Sequence, residues 1–336
     1  MLLFESGSYD NRRLGMCPGR TEQKKDKEMG KRRERAAVAA AILANVIFGF
    51  SFMFSRIILE TVTPELLLAV RFWIAFLCIN GVAVYSKKGK NVPETLRFEL
   101  KGKPILPLLA LGLLQPVLYF LAESHGIART NATVSGVLIA LIPVVATLLS
   151  VPFLGERFTW KQGCFVLLSL AGVVLMIIPQ SKGGQTSVAG VFLLFGAVVA
   201  GAVFNIASRR LRGNYSPFER TYVMMGMGAV VFTLLAGFRG EFRNIGTLLD
   251  SRLVLPFLYL GVLSSIGAFL LLNIANSTLP VARTTSFSNL STLLSLFAGI
   301  VILNEPFSLL CIPAAVMVLI GVTGVQRAGT VTPENK

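Results

Sequence analysis

Charge is scarce in this chain, and acid is scarcer than base. Only 15% of its 336 residues are charged, 17 Asp or Glu against 32 Lys or Arg, where a soluble domain carries about a quarter. Histidine occurs once, at His125, and tryptophan twice. The four cysteines, Cys17, Cys78, Cys164 and Cys311, stand at neither metal-ligand nor disulfide spacing. They read as packing residues, so no metal and no cofactor is expected. An intramembrane enzyme needs a nucleophile with its base, or a metal set, and one histidine with scattered cysteines supplies neither. The phosphate-cradling pattern Gly-x4-Gly-Lys-Ser/Thr is also missing, which argues against ATP-driven work. Cys17 follows Leu14-Gly15-Met16 in the outline of a lipid-attachment box, yet the apolar run of a signal peptide does not precede it.

What the chain has in abundance is apolar length. Hydrophobic residues make up 54% and the mean hydropathy is +0.69. A helix needs roughly 20 apolar residues to cross about 30 Å of hydrocarbon, because its backbone must satisfy its own hydrogen bonds there. Ten such runs are present: Ala36 to Leu59, Pro64 to Tyr85, Pro104 to Glu123, Asn131 to Leu154, Trp160 to Ile178, Val188 to Ser208, Pro217 to Phe238, Leu253 to Asn276, Val281 to Leu303 and Leu309 to Val325. The expected fold class is therefore an all-α integral membrane protein with ten transmembrane helices. Only Ser86 to Lys103 and Arg239 to Arg252 are longer connections, and neither is large enough for a soluble catalytic domain.

A net charge of +15 and a pI near 10.1 raise the question of nucleic acid. The distribution answers it. Ten Lys or Arg precede Ala36 and six lie between Ser86 and Lys103, while the opposite side of the expected topology has only Arg129, Lys182, Arg239, Arg243 and Arg252. Cytoplasmic loops attract Lys and Arg, so both termini are expected in the cytoplasm and the partner is the lipid bilayer of the cell membrane. The basic tail lacks the interleaved aromatics that stack bases, so no nucleic acid is expected.

The chain also repeats itself. A shift of 149 positions pairs Glu156 with Glu305, Leu154 with Leu303, Phe158 with Phe307, Pro107 with Pro256, Gly112 with Gly261, Phe120 with Phe269 and Gly172 with Gly321. An early pair aligns at 153 instead, with Pro64 on Pro217 and Arg56 on Arg209. Five spans per copy is an odd number, so the second copy inserts upside down, giving two inverted five-helix repeats. The expected organisation is a disordered basic cytoplasmic tail over 1–35, a first repeat over 36–179, a second over 188–327 and a short C-terminal tail over 328–336. Residues 1–35 mix ten basic with six acidic side chains and have no apolar periodicity. Met29 is an alternative start.

Polar residues inside the spans are the candidates for function. Ala41, Asn45 and Gly49 form a small, polar face on the first span. Arg71 lies seven residues into the second, where a charge costs at least about 2.5 kcal/mol unless compensated. Its partner is expected from a cavity or another helix, with neutralisation between helices favoured over substrate binding. Gln115-Pro116 should kink the third span, opposite Ser264-Ser265 at the matched depth, and Pro143 should kink the fourth. On the ninth, Thr284, Ser288, Ser291 and Ser295, with Thr285, Asn289 and Thr292 beside them, give a hydroxyl and amide stripe read as cavity lining. Glu123, His125, Glu156 and Glu305 all read as interfacial, with hydration or loop capping as the role of the last two. No acid is expected in the middle of a span. The residues expected to bind substrate are Asn45, Phe48, Gln115, Tyr119, Ser135, Asn205, Asn273, Ser288, Asn289 and Ser291.

Two copies closing with Leu-Gly-Glu-Arg-Phe and Leu-Asn-Glu-Pro-Phe, with Leu141-Ile142-Pro143-Val144 and the Glu123-Ser124-His125-Gly126 turn, resemble the EamA family of the drug/metabolite transporter superfamily. The resemblance runs over roughly 36–327. It implies ten helices, both termini cytoplasmic, and export of amino acids or other small metabolites through a pocket between the halves. Phe48-Gly49 stands where the family commonly has Trp-Gly, and Thr292 where it usually repeats the proline of Pro143. The expected function is a secondary carrier of a small metabolite, working by alternating access as a monomer or homodimer. A passive facilitator, or a membrane sensor or scaffold using the basic tail, are the alternatives.

Overall fold

The computed structural model describes residues 20–88, 98–100, 102–154, 158–182, 186–211, 214–279, 287–306 and 308–328. Among them every regular element is a helix: α1 (Arg20–Leu59), α2 (Pro64–Lys88), α3 (Leu106–Gly112), α4 (Tyr119–Ala128), α5 (Ala132–Ile139), α6 (Ile142–Leu154), α7 (Trp160–Lys182), α8 (Val188–Arg210), α9 (Pro217–Phe238), α10 (Ser251–Leu258), α11 (Phe269–Thr278), α12 (Ser288–Phe297) and α13 (Cys311–Arg327). Wider π-helical turns join α3 to α4 (Leu113–Leu118) and α10 to α11 (Tyr259–Ala268), and extend α12 (Ala298–Ile302). Eight helices are long and apolar enough to cross a membrane, from Gly30–Leu59 to Ser251–Ala275, and Ser288–Ile302 and Cys311–Arg327 are shorter apolar helices. The ninth expected run begins at Val281, but residues 280–286 lie outside the described residues.

The helix α1 begins at Arg20, so the stretch expected to be disordered up to residue 35 is helical from there. Its Glu, Gln, Lys and Arg residues are good helix formers, and the apolar span that follows supplies a nucleus from which the helix propagates back. Two of the long spans are broken where proline was expected to break them. At Gln115 the backbone leaves helical geometry (φ −146°, ψ 115°) directly before Pro116. The fourth span divides at Ala140-Leu141, and Pro143 is the second residue of α6, where its missing N–H has no helical carbonyl to bond.

Helices approach through glycines, in pairs. Gly172 on α7 lies against the Ala314 carbonyl and Val318 of α13, and Gly321 on α13 lies against the Phe165 carbonyl and Ser169 of α7. Gly112 meets Met227 on α9, while Gly261 meets Ile74 on α2. These contacts are reciprocal under the sequence repeat, since Gly112 and Gly261 differ by 149 positions and Ile74 and Met227 by 153. The buried core falls into two clusters. One is aromatic, around Phe72, Phe120, Phe218 and Phe232 on α2, α4 and α9. The other is aliphatic, around Val137, Leu141, Val318 and Val322 on α5, the break after it and α13.

Candidate functional site

Between the two clusters lies a cavity of about 160 Å³ whose walls come from both halves of the sequence. That is roughly ten times the space a single water needs, enough for a small metabolite. Asn45 and Phe48 of α1, Gln115 of the broken third span, Tyr119 of α4, Asn205 of α8, and Ser288 and Ser291 of α12 all line it, as does Pro143. The helix breaks put them there. The non-helical Gln115 takes its side chain out of the helical row, and the gap at Ala140-Leu141 places Ala140 and Pro143 on the wall. Phe48 packs edge-on against Phe269 at 5.3 Å between centroids, and both rings line the cavity.

The other three expected substrate residues sit elsewhere. Ser135 is fully buried at the start of α5, bonded to the Asn131 carbonyl (2.7 Å) and the Thr130 hydroxyl (3.0 Å). Asn273 donates to Thr221 Oγ1 at 3.1 Å, joining α11 to α9. Asn289 donates to Thr323 Oγ1 at 2.7 Å, joining α12 to α13. The hydroxyl stripe on the ninth span contracts in the same way. Ser291 and Thr292 bond back to the Ser288 carbonyl and Ser295 to that of Thr292, so the hydroxyls are satisfied within their own helix. Ser295 is wholly buried against Gly136 of α5. Thr284 and Thr285 lie outside the described residues.

One acid departs from the position expected of it. Glu123 lines the cavity and is 6% exposed, its Oε1 accepting the Tyr119 hydroxyl at 2.8 Å. It was expected at an interface because it stands near the end of the third run, but α4 continues to Ala128 and carries it inward of the helix end. Arg71 is 2% exposed on the same cavity. Its Nε donates to Ser265 Oγ (2.8 Å) and its Nη2 to Ser264 Oγ (3.0 Å), with Cζ 4.3 Å from the Phe120 ring centre. Arg220 and Ser208, bonded to each other at 3.1 Å, also line the cavity. Arg71 stood out in the sequence as a charge within a span, whereas Glu123 and Arg220, near the ends of their runs, did not.

One end of the bundle carries a set of polar ties between helices. Glu65, at the start of α2 and 2% exposed, bonds His125 Nε2 at 2.9 Å and pairs with Arg239 at the end of α9. Arg129 Nη1 reaches His125 Nδ1 at 3.1 Å. Glu305, from the far end of the chain, accepts the Ala132 and Thr133 N–H groups at the start of α5, at 2.7 and 3.0 Å. The cavity wall runs the other way, towards Ser208 at the end of α8, Arg220 near the start of α9 and Ser288 at the start of α12. Glu156, the repeat partner of Glu305, lies outside the described residues. Among the described residues no group of three His, Cys, Asp or Glu could hold a metal ion.

The sequence profile of the EamA-like transporter family matches residues 35–178 and again 188–326. The chain is 32% identical over 302 residues to the uncharacterised transporter YcxC of Bacillus subtilis (strain 168), covering 88% of this chain and 94% of that one. It is 29% identical over 224 residues to a probable terminal-alkyne amino-acid exporter of Streptantibioticus cattleyicolor, covering 66% of this chain and 73% of the exporter. A solved crystal structure superposes with a TM-score of 0.58 at 19% identity, over 86% of this chain and 96% of its own.

Proposed function

The chain belongs to the EamA-like transporter family, a multi-pass membrane transporter and not an enzyme, and from that premise we propose that it is a secondary carrier. It moves a small metabolite, an amino acid or a related compound, by alternating access, and it works as an exporter. The observation that carries this reading is the cavity itself: amides, hydroxyls and aromatic rings contributed by both halves converge on one small space. The reciprocal glycine contacts support a plan of ten helices in two inverted repeats, in which one half rocks against the other around a central site. Ties at one end, with the cavity wall running toward the other, suit a carrier closed on one face.

Asn45, Gln115, Asn205, Ser288 and Ser291 orient the cargo by hydrogen bonds, and Phe48 and Tyr119 wall its apolar part. The excess of Lys and Arg in alternate loops supports cytoplasmic termini in the cell membrane, and the likeness to an amino-acid exporter supports the cargo class and the direction. The test is flux in liposomes containing the purified protein, against labelled amino acids, organic acids and nucleosides, with and without a pH gradient. Saturable movement of one compound that is lost in Asn45→Leu and Ser291→Leu, and kept when residues 1–28 are deleted, is the expected result. Flux by neither route from well-folded protein sinks the carrier reading, and loss on deletion of the tail favours a sensor or scaffold.

A further inference from the structure

We propose that Arg71 is the cargo-binding cation of the cavity and that it selects a carboxylate, so that the transported compound is an organic acid held through its acid group. The proposal rests on the carrier reading and adds the group by which the cargo is chosen. A guanidinium buried to 2% exposure ordinarily has a carboxylate against it. Among the described residues, none lies within 4 Å of Arg71: its two hydrogen-bond partners are the neutral hydroxyls of Ser264 and Ser265. Glu123, the acid of the same cavity, accepts from Tyr119 and acts on Arg71 through its charge, without a hydrogen bond to it. Serines and the Phe120 face hold the guanidinium in place without neutralising it, and among the described residues Nη1 has no hydrogen-bond partner. A side chain that only tied two helices together would be expected to finish its own pairing.

The chemistry of the missing partner follows from the shape and charge of what is there. Arginine offers a planar fork suited to two-point binding of a carboxylate. Among the described residues of the cavity wall, Arg71 supplies a guanidinium and Glu123 a carboxylate. That arrangement suits a cargo with one acid beside an ammonium, and leaves a phosphate dianion poorly matched. Ser264 and Ser265 are positioning residues in this scheme. They stand at the depth of the Gln115-Pro116 break in the other half, so the site draws on both copies of the repeat.

The experiment is thermal stabilisation and calorimetric binding with the full-length protein in nanodiscs. The probes are carboxylates from acetate to phenylalanine, each beside its own amide, together with chloride and inorganic phosphate. The expected result is that at least one acid binds ten-fold or more tightly than its amide. Arg71→Gln should weaken that acid at least about 30-fold and its amide far less, and Arg71→Lys should recover part of the loss. Ser264→Ala with Ser265→Ala gives a second route if Arg71→Gln fails to fold, and should weaken acids selectively. No acid exceeding its amide overturns the proposal, as does equal stabilisation by chloride or phosphate. Carrier failure reads differently: acids then bind through Arg71 but show no flux in liposomes.

Discussion

Gly136 and Ser295 illustrate how closely the helices around the cavity approach. A Cβ at Gly136 would overlap the Ser295 hydroxyl, and one at Gly49 would come within 2.6 Å of Leu294 and 2.9 Å of the Ser291 carbonyl. Gly136→Ala should therefore destabilise the protein by about 1–3 kcal/mol, whereas Gly196→Ala, with nothing within 4 Å, should be neutral or gain up to about 1 kcal/mol of helix propensity. Thermal midpoints of the two variants in one detergent decide between them. Glu123 allows a second contrast, in specificity. Glu123→Gln keeps the bond from Tyr119 but removes the cavity's carboxylate, so an ammonium-bearing compound should lose about ten-fold in affinity relative to its des-amino analogue. Equal loss for both would mean the carboxylate only braces Tyr119. Asn45, Gln115 and Ser291 were legible as cavity residues because an amide or hydroxyl amid an apolar run has few other uses. Ser135, Asn273 and Asn289 carry the same signal, but the cap of its own helix satisfies Ser135 and neighbouring helices satisfy the two amides; only the packing separates the two groups.

At the scale of elements, the start of α5 is a junction between the halves. Its own cap, Asn131, accepts from Val134 N at 2.8 Å, and Glu305, from the far end of the chain, accepts from Ala132 and Thr133. Three of the N–H groups that a helix start leaves unpaired are thus covered, with a negative charge placed where the helix dipole favours it. Glu305→Ala should cost about 1–3 kcal/mol, since it strands two N–H groups, while Glu305→Gln keeps an acceptor and should cost less. Denaturation midpoints of the pair measure both. Apolar run length made the spans readable, and proline made the breaks at Gln115 and Ala140 readable. The closing Leu-Asn-Glu-Pro-Phe stood out as a repeat signal, yet its acid was assigned to hydration or a loop. Its actual contact lies 173 residues away, a separation that no local pattern reports.

For the whole molecule, the asymmetry between the ends is what a carrier must be able to reverse. Glu65 ties α2 to α4 through His125 and to α9 through Arg239, so elements of both halves meet at one buried carboxylate. Replacing it by Glu65→Gln removes the charge that the two partners share, and should shift the population toward the form open at that end. A change of about 1.4 kcal/mol in that balance is ten-fold in the ratio of forms. The readout is labelling by a membrane-impermeant maleimide in right-side-out and inverted vesicles, with the native cysteines replaced. In the parent, Ser288→Cys should react from the side on which α9 begins, and Asn45→Cys should react poorly from the other. Adding Glu65→Gln should raise labelling of Asn45→Cys from that other side several-fold and lower labelling of Ser288→Cys. A rise at both positions would indicate loosening of the bundle, and no change at either would mean that these ties stabilise the fold without governing which face is open.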